Sequence, residues 1–236
     1  MRSKPALAAI TAVALTVAAA WSVPLAARAD GGADRPATAA ASDMLPETPV
    51  AGMRFTVSST GNEARYRVRE QLAGLDFPND AVGVTPKVSG AIVVDDAGQL
   101  VAGQSRIVVD VTALKSDKER RDGYVQGRLL ETAKFPTVEF VPTAIRGLPS
   151  PLPAANGKVG PQQLEMTGDL TVKGVTHPVT WKGTASYDNG QVTGSAETAF
   201  TFADFQMDKP RVASVLSVAD TIKLEYDFTL AAQPQP

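Results

Sequence analysis

The chain predicts an all-β fold: one antiparallel domain, a sandwich or barrel, interrupted by one short helix. Three observations carry this. Ile222, Leu224, Tyr226, Phe228 and Leu230 alternate with Thr221, Lys223, Glu225, Asp227 and Thr229, and a period of two gives a strand one buried and one wet face. The same alternation recurs along most of the chain. Turn signals separate the alternating runs, and strands joined by short turns pair antiparallel.

Taken in order, residues 1–29 come first. Arg2 and Lys4 precede an Ala/Val/Leu run from Ala6 to Ala27, which ends in Ala27-Arg28-Ala29. A basic start, an apolar run and a small-x-small end make a Sec-type signal peptide cut after Ala29. The competing expectation is an uncleaved signal anchor, since the run is long. Trp21, Ser22 and Pro24 interrupt its end and favour cleavage. The remainder is therefore expected outside the cytoplasm, secreted or in the cell envelope or periplasm, with tethering by an uncleaved anchor as the alternative. Residues 30–51 are rich in Ala, Pro, Gly, Ser and Thr without periodicity, and are expected to form a flexible linker. Residues 52–231 form the domain, and residues 232–236 are expected to be a disordered tail.

Within the domain, alternation marks Phe55/Val57, Tyr66/Val68 against Arg65/Arg67/Arg69, and Ile107/Val109/Val111. Further strands are expected over 87–95, 137–146, 162–173, 177–187 and 191–203. Asn189-Gly190 between alternating runs is a hairpin signal, because both residues tolerate positive φ. Ser116-Asp117-Lys118-Glu119 has capping-box spacing, and predicts a short helix within 116–131. Gly123 and Gly127 would each weaken that helix by roughly 1 kcal/mol relative to Ala.

Composition removes most catalytic chemistry. The 236 residues hold 23 Lys+Arg, 25 Asp+Glu, one His and no Cys. Disulfides, thiolate metal sites and Cys nucleophiles are excluded, as is any multi-histidine metal site. Loss of residues 1–29 would remove Arg2, Lys4 and Arg28 and no acid, taking the net charge from −2 to −5. That balance suits neither nucleic acid nor anionic lipid surfaces.

The remaining candidates are weighed one by one. His177 lies beside Pro178 with no nucleophile motif, so an exposed turn residue is expected over a general base. Asp117, Glu119 and Asp122 are interleaved with Lys115, Lys118, Arg120 and Arg121, which reads as a solvated, self-neutralising surface. Asp95-Asp96-Ala97-Gly98 is half a calcium loop without its later ligands, hence a turn. Arg65, Arg67 and Arg69 share one face and are expected to pair across strands rather than bind an anion. The recurrent aromatics could fill a core or line a lumen, and alternation alone does not separate the two.

Three stretches, in order, resemble the YceI-like family of exported proteins: Val109–Asp117 followed by Arg121-Asp122, Lys134–Phe140, and Gly168–Val179 with Gly168-Asp169-Leu170-Thr171-Val172-Lys173-Gly174-Val175-Thr176-His177-Pro178-Val179. The likeness extends over most of 53–230. It implies a single extended, lipocalin-like antiparallel β-barrel, about eight-stranded, around an apolar tunnel holding a polyisoprenoid or similar long-chain lipid. No catalytic residue is carried over, so a non-enzymatic binding protein for transport, storage or protection is expected, with no cofactor and no metal. The rival is an envelope-associated interaction module with a solid core. The expected partner is a long-chain isoprenoid lipid or quinone; a homodimer is compatible with the sequence.

Two departures stand out. Tyr124 occupies a position where members often carry His. Phe202-Ala203-Asp204-Phe205-Gln206 replaces an Arg-x-Asp-Phe-Gly motif, which leaves a neutral lipid or quinone as open as a polyprenyl phosphate. The expected ligand-binding residues are Phe55, Tyr66, Val68, Val109, Phe140, Trp181, Phe200, Phe202 and Phe228, each on the presumed apolar face of an alternating run.

Overall fold

The structure, a computed structural model, describes residues 52–74 and 76–235. The expected signal peptide (1–29) and linker (30–51) lie outside these residues. The elements are β1 (Gly52–Val57), β2 (Glu63–Leu72), β3 (Asn79–Thr85), β4 (Val88–Asp95), β5 (Arg106–Asp110), β6 (Lys115–Ser116), α1 (Glu119–Tyr124), β7 (Thr137–Arg146), β8 (Lys158–Val172), β9 (Val175–Asp188), β10 (Gln191–Thr201) and β11 (Val215–Gln235). Eight strands close a ring in the order β1-β4-β5-β7-β8-β9-β10-β11, sealed by β11 on β1. Closure leaves no free sheet edge around the ring. The neighbouring strands run antiparallel, as the alternation and short turns predict.

Two hairpin turns show how the sequence sets register. Lys173-Gly174 between β8 and β9 has φ of 51° and 75°, and Asn189-Gly190 between β9 and β10 has 49° and 80°. Positive φ at both central residues is the twist-matched hairpin turn. It fixes Val172 opposite Val175 and Asp188 opposite Gln191, and so decides which side chains of three long strands face inward.

The longest strand, β11, serves two partners on one edge. Leu230–Gln235 pairs with β1, while Val215–Asp227 pairs with β2. From β2 a branch continues through β3 to β6, with Gly83 opposite Ser116 and Val84 opposite Lys115. This branch extends the wall beyond the ring, and α1 follows it directly in the chain.

Three expectations are corrected. Residues 232–235 of the expected tail are strand instead, because β11 continues through Gln235 and Ala232 to Gln235 pair with Phe55 to Gly52; residue 236 lies outside the described residues. Backbone pairing needs no side-chain pattern, and the β10 ladder on β11 ends at the Gln191–Ala231 pair, so Pro234 lies beyond it and its missing N–H costs that ladder nothing. The capping box does not form: Lys118 is the N-cap and makes no side-chain cap. Ser116 is held in β6, where its N–H and Oγ both donate to Asp122 Oδ1 at 2.8 and 2.6 Å. Finally β3 was not expected as a strand. Its inward residues are Ala81, Gly83 and Thr85, too small to give an amphipathic signal.

Candidate ligand cavity

Register places the wall. On β10 and β11, Val192, Gly194, Ala196 and Phe200 stand opposite Leu230, Phe228, Tyr226 and Ile222. On β2, Ala64, Tyr66 and Val68 stand opposite Tyr226, Leu224 and Ile222. The same parity on β8 and β9 turns Met166, Leu170, Val172, Val179 and Trp181 inward. These residues, apart from Gly194 and Val179, enclose a cavity of about 910 Å³, lined overwhelmingly by carbon.

All nine residues expected from the sequence line this one cavity. Phe55, Val68, Phe140, Phe200 and Phe202 are buried, and Tyr66, Val109, Trp181 and Phe228 are partly buried. Phe140 meets Trp181 edge to face at 6.1 Å between ring centroids. The cavity also takes Ile92, Ile107, Leu170, Tyr187 and Tyr226, which share the parity of the nine, and Met207, Leu148 and Leu152 outside the strands, which no periodicity marks.

Polar groups inside are few. Tyr226 donates to Asn62 Oδ1 at 2.8 Å, and that oxygen also accepts from the Thr229 N–H. Burial pushes the Tyr66 phenol up to about 12, against the pull of the Arg121 charge, and burial raises Tyr226 as well. Both remain neutral phenols at ordinary pH. Trp181 Nε1 is buried and has no hydrogen-bond partner among the described residues.

The cavity meets solvent where exposed residues line it, and the largest group of these marks a mouth beside the end of β2. Its rim comprises Leu72 and Ala73 at the end of β2, Pro210, Val212, Ser214 and Val215 before and at the start of β11, and Asp117–Arg121 entering α1. Ala73, Ser214 and Asp117 to Arg120 are exposed, so these lining residues touch water and lumen together. Here Arg121 pairs with Glu70 at 2.7 Å, both side chains nearly out of solvent at 13% and 8% exposed. Arg121 also pairs with Asp117, and Asn79 Nδ2 donates to Glu70 at 3.3 Å. The guanidinium is thus engaged by two carboxylates.

The motif that departs from the family pattern sits at the same end. Phe202 is 3% exposed and faces the cavity. Asp204 Oδ2 accepts from the Thr201 N–H at 2.7 Å, a bond that holds its carboxyl below the usual range. Gln206 has φ 53°, the left-handed conformation that a glycine takes easily. Phe205 is fully buried between Phe200 and His177, with centroids at 4.5 and 5.8 Å. His177, expected as an exposed turn residue, lies instead within β9, partly buried, as the edge-to-face partner of Phe205. On the outer face, Arg65, Arg67 and Arg69 pair with Glu63, Glu225, Asp227 and Asp80.

Residues 55–230 match the model of the YceI-like domain. A UPF0312 protein of Pseudomonas fluorescens (strain SBW25) is 33% identical over 119 residues, 47% of this chain and 56% of that protein, so the chain spans little more than half of that relative. A UPF0312 protein of Shewanella denitrificans is 28% identical over 172 residues, 70% of this chain and 82% of that protein. Among solved structures, a polyisoprenoid binding domain from Saccharophagus degradans, implicated in plant cell wall breakdown, superimposes with a TM-score of 0.56 at 13% identity, over 78% of this chain and 99% of that one. Burkholderia cenocepacia BcnA gives 0.53 at 19% identity, over 73% and 98%. At these identities the likeness establishes the fold, a lipocalin-type barrel.

Proposed function

The chain belongs to the YceI-like family, and on that premise we propose that it is an exported, non-enzymatic carrier of a neutral long-chain isoprenoid lipid or quinone. The observation that carries this is the open-ended apolar cavity of about 910 Å³. Its size lies near the upper end of the roughly 300–1,000 Å³ usual for small-molecule sites. A module with a solid core would have no such lumen. Burial of hydrocarbon contributes about 0.8 kcal/mol per CH₂, so ten buried carbons supply on the order of 8 kcal/mol before chain ordering is subtracted. Shape and dryness are enough to hold such a ligand.

Two features favour a neutral head group. Phe202 stands inside the cavity where the family motif has Arg, and Arg121 is already engaged by Glu70 and Asp117. Trp181 Nε1 can donate to a hydroxyl or carbonyl oxygen, which a bare hydrocarbon lacks. Solvent extraction of the purified protein followed by mass spectrometry should release a long-chain lipid in near-stoichiometric amount. No lipid in the extract, together with no saturable uptake of prenols of graded length, would overturn the proposal.

A further inference from the structure

Among the described residues, the exposed large hydrophobic side chains are Phe77, at 80%, and Leu216, at 68%. Register brings them to one place. Leu216 lies between Val215, the partner of Leu72, and Ser217, the partner of Gln71. Phe77 stands two residues before Asn79, the partner of Glu70, and so flanks the same end of β2 from the other side. That end is the rim of the cavity mouth, where Leu72, Ala73 and Val215 line the lumen. Two large apolar side chains held in water beside the opening of an apolar cavity are not explained by packing, since each is mostly solvent-exposed.

We propose that this tip docks on the surface of a lipid bilayer and brings the mouth to the membrane, so that ligand passes between bilayer and lumen without crossing water. The inference rests on the lipid reading above, which supplies the occupant: a long-chain isoprenoid is held in membranes, and a rim that exchanges it must meet one. The charge around the tip agrees with apolar insertion. Lys118, Arg120, Arg121, Lys209 and Arg211 stand among Glu70, Asp76, Asp117, Glu119, Asp208 and Asp220, so the rim has little net charge. Phe77 and Leu216 then enter the interfacial region, as apolar residues of peripheral proteins do, and binding needs no anionic lipid.

The test uses phosphatidylcholine vesicles, with and without a fluorescent prenol, and the variant Phe77→Asp/Leu216→Asp. Both positions are exposed, so the variant should keep the thermal midpoint of the wild type. Wild type should float with plain vesicles, at high salt as well as low, and the variant should not. Uptake of prenol from vesicles should fall about tenfold or more in the variant, the scale of losing one buried apolar side chain. Equilibrium affinity for the same prenol presented in detergent should stay within about twofold, a change below 0.5 kcal/mol. Wild type that does not float, or a variant that takes up prenol from vesicles at the wild-type rate, overturns the docking surface. A dimer dissolved by the same substitutions would make the tip a contact between copies and overturns it equally. Docking with no prenol bound by any route would instead overturn the lipid reading and leave the docking result standing.

Discussion

Large rings can line a tunnel without filling it if they lie along the wall, and that requires a floor with no side chain beneath them. A Cβ at Gly83 would come within 2.2 Å of Tyr66 Cε1, at Gly194 within 2.6 Å of Phe228 Cζ, and at Gly168 within 2.8 Å of Phe140 Cε2. Each glycine faces inward on a strand beside its ring. At Gly168 and Gly194 an added Cβ would also strike neighbouring backbone, whereas at Gly83 the near atoms all belong to the Tyr66 ring. Gly83→Val should therefore push Tyr66 into the lumen. We expect a stability loss of about 1–3 kcal/mol by urea denaturation, as for overpacking, and a preference shifted to shorter prenols. Unchanged chain-length preference would show that the ring does not bound the ligand. At Phe202, substitution by Arg should weaken binding of a neutral prenol by about 1.5–3 kcal/mol, the worth of one buried apolar side chain, and favour the phosphorylated analogue. Equal affinity of wild type and a folded Phe202→Arg for the paired lipids would remove this residue from the site. Alternation made all nine lining residues legible, because parity alone turns a side chain inward. The glycines were not legible, since a missing side chain leaves no mark on periodicity.

At the scale of the element, α1 illustrates how far local sequence carries. The helix runs on from α1 into a π-helical turn over Val125–Leu129, and so short a segment, without a side-chain N-cap and with Gly123 and Gly127 in it, does not hold in water by itself. Its anchors are tertiary: Arg121 to Glu70, and Asp122 to Ser116. Removal of Arg121 as Ala leaves Glu70 nearly buried without its cation, a loss of about 3–5 kcal/mol for a fully buried pair and less at this open rim. Urea denaturation should show that loss, and hydrogen exchange over 116–130 should rise; unaltered exchange would mean that other contacts hold the helix. From the sequence, Arg121 looked like one charge in a solvated cluster, because its partner is 51 residues away. The ladder on β2 and β11 was more legible, since Arg65 and Arg67 alternate with apolar residues. Arg67, then Arg65, hold the Glu225 carboxyl below its usual range against the opposing effect of burial. A carboxylate lowered on folding stabilises above its unfolded value, about 4.3, and that contribution fades as pH falls through the lowered value. Glu225→Gln should therefore cost about 1–2 kcal/mol at neutral pH and progressively less in acid. A difference from wild type that is constant across pH would contradict this origin.

At the scale of the whole molecule, the lumen exists only because the ring closes, and closure falls to the last residues of the described chain. The segment Ala231-Ala232-Gln233-Pro234-Gln235 has no alternation, so nothing in its side chains announces a strand. What places it is the partner: β1 is held by β4 on one edge, and Gly52 to Phe55 pair with Gln235 to Ala232 on the other. Met53 and Phe55 on that seam are buried core residues, so opening it would wet them. Deletion of residues 232–236 keeps Thr56 and Val57 paired with Ala231 and Leu230 but removes the four outer pairs. With about 0.5–1.5 kcal/mol for each lost hydrogen bond, and about one bond per pair, the truncated chain should lose roughly 2–6 kcal/mol. A shorter deletion, of 235–236, removes only the Gly52 pair and should cost about 1 kcal/mol. Because the seam runs alongside the cavity wall at Phe55, the longer deletion should also release bound prenol faster than wild type does. Urea denaturation and stopped-flow release of a fluorescent prenol measure the two effects separately. A 232–236 deletion that keeps wild-type stability and release rate would show that the pairs of Thr56 and Val57 with Ala231 and Leu230 seal the barrel without the C-terminal strand end.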